Sequence, residues 1–100
     1  MRRATTPTHR FTLDIDPSLI SKIRITYAQN GDTILTKNEE DVTLDDNIAE
    51  VKLTQEETNL FDFGVNVKIQ VRVLTTGGDA LASEIFKVPC GRVLDDEVMV

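Results

Sequence analysis

The segment of residues 65–73 constrains the fold most, because every odd position in it is apolar and every even position is polar. Alternation with a period of two is typical of a β-strand that has one face in the core and one face in water. The next residues contain Gly77-Gly78, and a glycine pair supplies the positive φ angles of a tight turn. We therefore expect a hairpin whose return strand covers residues 81–88.

A second hairpin is predicted earlier in the chain. Residues 22–27 alternate in the same way and lead into Asn30-Gly31, the strongest short-range hairpin signal. The partner strand then covers residues 33–37. Upstream, residues 11–16 also alternate before Pro17, which cannot donate a hydrogen bond to a central ladder, and we expect an N-terminal strand there.

A third and weaker hairpin joins residues 42–44 to residues 48–53. Between them lie Asp45-Asp46-Asn47, whose side chains can bond their own backbone and favour a turn. The one helical signal follows, where Thr54 and Glu57 have the spacing of a capping box. One or two helical turns are expected there.

Seven short strands separated by turn signals predict an all-β fold, an immunoglobulin-like antiparallel β-sandwich with one short helical turn. The chain has 100 residues, which is close to the commonest domain size, so we expect a single domain over residues 1–100. It has no Trp and only five aromatic residues, so the core must consist mainly of Val, Ile and Leu.

The two chain ends lie outside the predicted strands. Residues 1–8 and 91–100 are expected to be mobile, because chain ends are poorly ordered unless something holds them. The second end closes on Val98-Met99-Val100, an apolar sequence that gains little from water. Docking of this end against a neighbour and simple fraying both account for it.

Charge and cysteine content exclude several classes of partner and compartment. The net charge of −6 repels phosphate backbones and anionic lipid surfaces, so we expect neither nucleic acid nor a membrane as partner. The single cysteine, Cys90, cannot form an intrachain disulfide, and no apolar stretch of signal-peptide length follows Met1. Synthesis in the cytoplasm fits both observations.

No residue pattern predicts a catalytic, cofactor or metal site. His9 is the sole histidine and lies at the entry to the first predicted strand, a poor position for a Ser-His-Asp or Cys-His arrangement. We interpret it as a solvated or hydrogen-bonded histidine with no catalytic role. Cys90 has no second cysteine at metal-ligand spacing, so it is expected to be a plain, half-buried thiol. The chain is therefore not expected to be an enzyme or to hold a cofactor.

The carboxylate pairs and the glycine pair also lack the spacing of a ligand-binding site. Neither Glu39-Glu40-Asp41 nor Asp45-Asp46 follows the spacing of a calcium loop. Asp14 and Asp16 project from the same strand face, which we interpret as a solvated face. Gly77-Gly78 lacks the spacing of a phosphate-binding loop and is explained by turn chemistry alone.

Two segments carry a resemblance to a known group of proteins. Residues 51–58 (VKLTQEET) and residues 67–83 (VKIQVRVLTTGGDALAS) resemble small prophage-encoded proteins of Gram-positive bacteria, which are usually found among phage structural genes. More loosely, the order of elements is similar to that in the N-terminal domain of phage baseplate upper proteins, an immunoglobulin-like β-sandwich. Upper proteins continue into long C-terminal segments, so the resemblance favours a stand-alone adaptor or plug.

The resemblance implies a non-enzymatic structural or interaction protein of a phage tail or baseplate. Its partners would be other phage structural proteins or copies of itself, and its final location would be the virion. The alternative is a small ligand-binding module, with carbohydrate as the candidate ligand, and a sugar site usually requires exposed aromatic side chains. Tyr27 and most phenylalanines are expected in the core, but Phe61 and Phe63 near a turn are candidates for exposure.

Overall fold

The computed structural model describes residues 1–100 and consists almost entirely of short strands joined by tight turns. A single turn of 3₁₀ helix covers Pro17–Leu19. The other elements are β1 (Thr8–Thr12), β2 (Ile20–Gln29), β3 (Asp32–Asn38), β4 (Val42–Asp45), β5 (Ile48–Lys52), α1 (Gln55–Thr58), β6 (Val67–Thr75), β7 (Ala80–Ala82) and β8 (Phe86–Val88).

The strands form two antiparallel sheets. The smaller sheet has the order β1-β5-β4, and the larger has the order β3-β2-β6-β7, with β8 also paired to β6. In constant-type immunoglobulin domains, strands A, B, E and D form one sheet and strands C, F and G the other. Matching β1, β5 and β4 to B, E and D, and β2, β6 and β7–β8 to C, F and G, reproduces the order of these strands. No strand of this chain corresponds to A, and β3 has the place of strand C′ of the variable type. The predicted immunoglobulin-like sandwich is confirmed.

The core lies between the inner faces of the two sheets. Val67, Ile69, Val71 and Val73 of β6 are all buried, as the alternation predicted. Strand β2 lies beside β6 in a register that places its own buried residues opposite them: Ile23↔Val73, Ile25↔Val71 and Tyr27↔Ile69. The smaller sheet adds three buried residues from the other side: Phe11, Ala49 and Val51.

Left-handed residues close the predicted hairpins. Gln29 pairs with Asp32 across Asn30 and Gly31, whose φ angles are +52° and +82°. Positive φ at both central residues defines the type I′ turn that Asn-Gly favours. Asp46, with φ of +54°, has a similar place in the β4–β5 turn. In the β6–β7 turn, Gly78 alone of the glycine pair has positive φ.

The predicted capping box at the start of α1 is present. The Glu57 backbone N–H donates to the Thr54 hydroxyl at 3.1 Å, and the Thr54 N–H donates to the Glu57 carboxylate at 2.9 Å. The helix ends with Thr58, which is fully buried and exchanges hydrogen bonds with the backbone of Thr5. The helical turn thus holds the N-terminal segment against the sandwich. No helix in the chain has the length and apolar character needed to cross a bilayer.

Two predicted strand boundaries are wrong. The first strand covers Thr8–Thr12 instead of residues 11–16, because its alternation extends back through His9, which lies opposite Val51. Asp14 and Asp16 therefore lie after the strand and not on one of its faces. Thr8 therefore belongs to a strand and not to a chain end. The long strand covers Val67–Thr75 instead of residues 65–73, because Gly64 has φ of +79° and residues 65–66 still belong to the loop.

The predicted return strand of residues 81–88 is broken in two by a β-bulge. Val73 pairs with Leu81, and Ile69 pairs with Phe86. The segment from Leu81 to Phe86 is therefore one residue longer than the segment of β6 opposite it, which is the mark of a β-bulge. The Ser83 N–H donates to the Val71 carbonyl at 2.8 Å, and the Val71 N–H donates to the Ser83 hydroxyl at 3.0 Å. A serine side chain thus replaces one backbone acceptor of the ladder.

Both chain ends have hydrogen-bond partners in the structure. Arg2 forms an isolated parallel bridge with Gly91, and Arg3 forms an ion pair with Asp96 at 2.8 Å. The side-chain amide of Gln55 bonds both backbone groups of Met99, at 2.8 and 2.9 Å. The mobility of residues 1–8 and 91–100 stays a prediction. Motion can be measured at the residues that make these contacts.

Replacing Gly31 by alanine is expected to lower the free energy of unfolding by about 1–2 kcal/mol. A Cβ at this position would meet no atom within 4 Å, so the cost comes from the positive φ alone. Gly77→Ala is the matched control, because Gly77 lies in another hairpin turn without positive φ. Urea denaturation measures both variants, and equal losses would show that turn conformation is not the cause.

Replacing Gln55 by alanine is expected to release residues 98–100, because the Gln55 side chain makes two hydrogen bonds to Met99. Amide hydrogen exchange at Met99 should become faster, while exchange in β6 stays unchanged. Glu56→Ala is the control, since Glu56 is a neighbouring exposed residue of α1. Rapid exchange at Met99 in the unmodified chain would support mobile ends and contradict a stable contact.

Candidate interaction surface

His9 lies in β1 and faces Tyr27 of the other sheet. The His9 Nδ1 and the Tyr27 hydroxyl oxygen are 2.7 Å apart. Burial lowers the pKa of His9 and raises the pKa of Tyr27. A buried tyrosine hydroxyl needs a hydrogen-bond partner, and the imidazole supplies it. The interpretation of His9 as a hydrogen-bonded histidine agrees with this geometry.

The Lys37–Glu57 ion pair connects the larger sheet to α1, and sequence reasoning did not find it. Lys37 lies opposite Ile25 in the register of β3 and β2, so its side chain projects inward and is buried. Its Nζ is 2.5 Å from the Glu57 carboxylate. Burial acts to raise the pKa of Glu57, but the hydrogen bonds from Lys37 and Thr54 outweigh it and the pKa is lowered. The alternation of Leu35 and Lys37 was the signal that Lys37 faces inward.

The remaining candidate residues have structural surroundings. Burial raises the pKa of the Cys90 thiol, which makes the nucleophilic thiolate scarcer. Asp41 accepts a hydrogen bond from the Asn38 N–H in the β3–β4 turn at 3.1 Å. Asp14 and Asp16 line a shallow hollow at one end of the smaller sheet, together with Asp46. No group of three or more His, Cys, Asp and Glu side chains is arranged to hold a metal ion.

An apolar region with both buried and exposed side chains lies where β1 ends one sheet and β7–β8 ends the other. We call this region the open edge and define it by Phe11, Leu13, Ile15, Leu81 and Phe86. The ring centroids of Phe11 in the smaller sheet and Phe86 in the larger sheet are 5.7 Å apart. Beside them is a groove of about 310 Å³ between the segment after β1 and strands β6 and β7, and six of its eight lining residues are hydrophobic.

The open edge combines exposed apolar side chains with free backbone. Leu81 is 48% exposed and Phe86 is 42% exposed, although both face the core side of the larger sheet. Strand β1 pairs with β5 on one side only and ends its sheet. In the immunoglobulin arrangement, strand A pairs with the strand that β1 matches. The outer edge of β1 is therefore the place where an added strand fits.

Sequence reasoning missed the open edge because no local pattern shows which strands end a sheet. The available signal was the cluster Leu81, Ile85 and Phe86 in a short return strand, which is apolar on both faces under strict alternation. The predicted exposure is confirmed for Phe63 and is wrong for Phe61. Phe61 is buried, whereas Phe63 is 50% exposed with the Arg92 guanidinium 5.3 Å above its ring.

Comparison with known proteins yields one likeness in fold. No family model matches the chain, and no curated protein matches it. Among solved structures, the chain is similar to the V domain of amphioxus IgVJ-C2, with 13% sequence identity over 90% of this chain and 96% of that one, at a TM-score of 0.37. At this identity the likeness says nothing about function.

Replacing His9 by glutamine is expected to weaken the loss of thermal stability between about pH 7 and pH 5. The folded-state pKa of His9 lies below its ordinary value of 6.5, so the unfolded chain binds the proton more strongly. Stability therefore falls as pH drops below that value, and the variant removes this contribution. Thermal melts at several pH values measure the difference.

Glu57→Gln is the control for the pH experiment. The folded pKa of Glu57 is lowered from 4.5, so its contribution is lost only as pH falls below that value. This variant should leave the change in thermal stability between about pH 7 and pH 5 as it is, and should reduce the loss of stability at lower pH. If the melting temperature of the unmodified chain and that of His9→Gln change equally with pH above pH 5, the burial of a neutral His9 is refuted.

Proposed function

We propose that this chain is a non-enzymatic structural or interaction protein of a phage or prophage, a tail or baseplate component that acts through protein–protein contacts. It would be synthesised in the cytoplasm and end in the virion. The observation that carries the proposal is the open edge, where a free strand edge lies beside an apolar groove. The resemblance of residues 51–58 and 67–83 to prophage structural proteins supplies the biological setting.

The open edge has the two properties that strand addition uses. An added strand would bond the outer N–H and C=O groups of β1, and these main-chain bonds provide affinity. Its alternate side chains would enter the groove beside Leu13 and Leu81, which provides specificity. Exposed sheet edges also attract unwanted pairing, and proteins commonly cover them. A segment of another structural protein is the occupant that this proposal requires.

The titratable groups support a non-catalytic role. Three of the pKa shifts have local structural causes: burial for His9, hydrogen bonds from Lys37 and Thr54 for Glu57, and hydrogen bonds from Ser18 for Asp16. Perturbed pKa values at an active site cluster around a cleft, but structural pairs also perturb them. Here the pairs fix a core tyrosine, a helix and a turn.

Carbohydrate binding is the alternative, and exposed Phe63 is the observation that favours it. Sugar-binding sites stack rings on open aromatic faces, but Arg92 covers one face of Phe63. Phe86 is partly exposed but packs against Phe11. A glycan array decides this alternative, since specific binding that Phe63→Ala abolishes would favour it over a structural role.

The chain is expected in purified phage particles released after prophage induction of the source strain. Mass spectrometry of the particles and of the cell extract measures its location. Enrichment in particles at a constant ratio to the tail proteins supports the proposal. Presence in the extract together with absence from the particles would overturn it.

The open edge can be tested in the same particles. Leu81→Ser should reduce incorporation by about tenfold, because a half-exposed leucine at an interface loses its buried contact. Leu60→Ser is the matched control, since Leu60 is 55% exposed and lies outside the open edge. Equal incorporation of both variants would mean that the open edge is not the contact.

A further inference from the structure

The wet face of the larger sheet carries five cations. In the register of β2, β6, β7 and β8, the residues that point away from the core alternate with the buried ones. No carboxylate occupies a strand position on this face. We call it the basic face, and its cations are Lys22, Arg24, Lys68, Arg72 and Lys87.

The register places like charges directly opposite each other on this face. Arg24 pairs with Arg72, and Lys68 pairs with Lys87. Like charges at opposed positions of an antiparallel pair destabilise a sheet. None of the four forms an ion pair within the chain. The wet face of the smaller sheet is built in the opposite way, with Arg10 opposite Glu50 and bonded to it at 2.8 Å.

A hollow of about 440 Å³ on the basic face gives an acidic group a place to enter. Its lining includes three cations, Lys22, Arg24 and Arg72, and also two carboxylates, those of the turn residues Glu39 and Glu40. Neither glutamate lies within ion-pair distance of these cations. The three positive charges are therefore available to a ligand.

The rest of the molecule is strongly acidic. The net charge of −6 already includes the five cations of the basic face, so the remainder carries −11. Part of this charge is concentrated at one end of the smaller sheet. We call this the acidic end and define it by Asp14, Asp16, Asp45 and Asp46, three of which line one hollow. Within one chain, a basic surface and an acidic surface are thus both exposed.

We propose that the basic face binds the acidic end of a second copy of this chain. Charge complementarity selects this occupant, because each copy carries both surfaces. A long polyanion such as nucleic acid, or a membrane, would also meet the acidic remainder and be repelled by it. A second copy presents its acidic end alone, and its carboxylates would separate Arg24 from Arg72 and offset their repulsion.

Such a contact joins two different surfaces, so it is heterologous and builds a ring or a filament. It is also electrostatic and should weaken as salt rises, since the Debye length falls from about 20 Å at low salt to a few ångströms near 1 M. The basic face is separate from the open edge, whereas the acidic end adjoins the open edge at Asp14, which lines both hollows. Self-association of this kind does not depend on a phage origin. Contacts through the open edge would instead strengthen in sulfate, which distinguishes the two failures.

Sedimentation equilibrium of the full chain at about millimolar concentration tests the proposal at low salt and near 0.5 M salt. We expect association at low salt and its loss at high salt. Arg24→Glu should weaken association by at least about tenfold. It also turns the Arg24–Arg72 pair into an attractive one, so the melting temperature should rise. Lys52→Glu, the same charge change on the other wet face, is the control.

Mixing two variants gives the sharper test. A basic-face variant, Arg24→Glu with Lys68→Glu, keeps its acidic end, and an acidic-end variant, Asp14→Lys with Asp45→Lys, keeps its basic face. Each alone should be monomeric, and an equimolar mixture should form a 1:1 dimer that grows no further. A monomeric wild type at low salt, a mixture without dimers, or equal effects of Arg24→Glu and Lys52→Glu would each overturn the proposal.

Discussion

The pairing of β2 with β6 is the constraint on which the rest of the structure depends. These strands form the centre of the larger sheet, and their inner residues make half of the buried apolar core. Because side chains alternate with a period of two, a register shift of one residue would move the buried side chains to the solvent-exposed face. The burial of Tyr27 adds a second condition, since its hydroxyl requires a partner, and His9 of the smaller sheet provides it at 2.7 Å. This hydrogen bond thereby links the two sheets across the core.

Local signals in the sequence were enough to predict the hairpins, because their cause is local. Asn30-Gly31 adopts positive φ because those residues tolerate it, and Thr54 with Glu57 forms a capping box within four consecutive residues. The Lys37–Glu57 ion pair and the open edge were beyond such reasoning. Each depends on which strands become neighbours in space, and a single sequence does not show this.

The bulge at Ser83 explains why the return strand was the hardest part to predict. Strict alternation from Leu81 would turn Lys87 toward the core and Phe86 toward water. The one extra residue reverses this, so that Phe86 lies opposite Ile69 on the inner side and Lys87 lies opposite Lys68 on the wet side. A single inserted residue therefore places an aromatic ring at the open edge and a cation on the basic face. The two surfaces share one structural cause.

The two wet faces of the sandwich show that the charge pattern is not a requirement of folding. The smaller sheet pairs Arg10 with Glu50, whereas the larger sheet opposes Arg24 to Arg72 and Lys68 to Lys87. Each cross-strand charge pair contributes roughly 0.2–1 kcal/mol in either direction. Two repulsive pairs thus cost on the order of 1 kcal/mol, which a domain stabilised by about 5–15 kcal/mol tolerates. The same four cations, placed opposite carboxylates of another molecule, would exchange this repulsion for attraction, which is a use in binding that the isolated fold does not require.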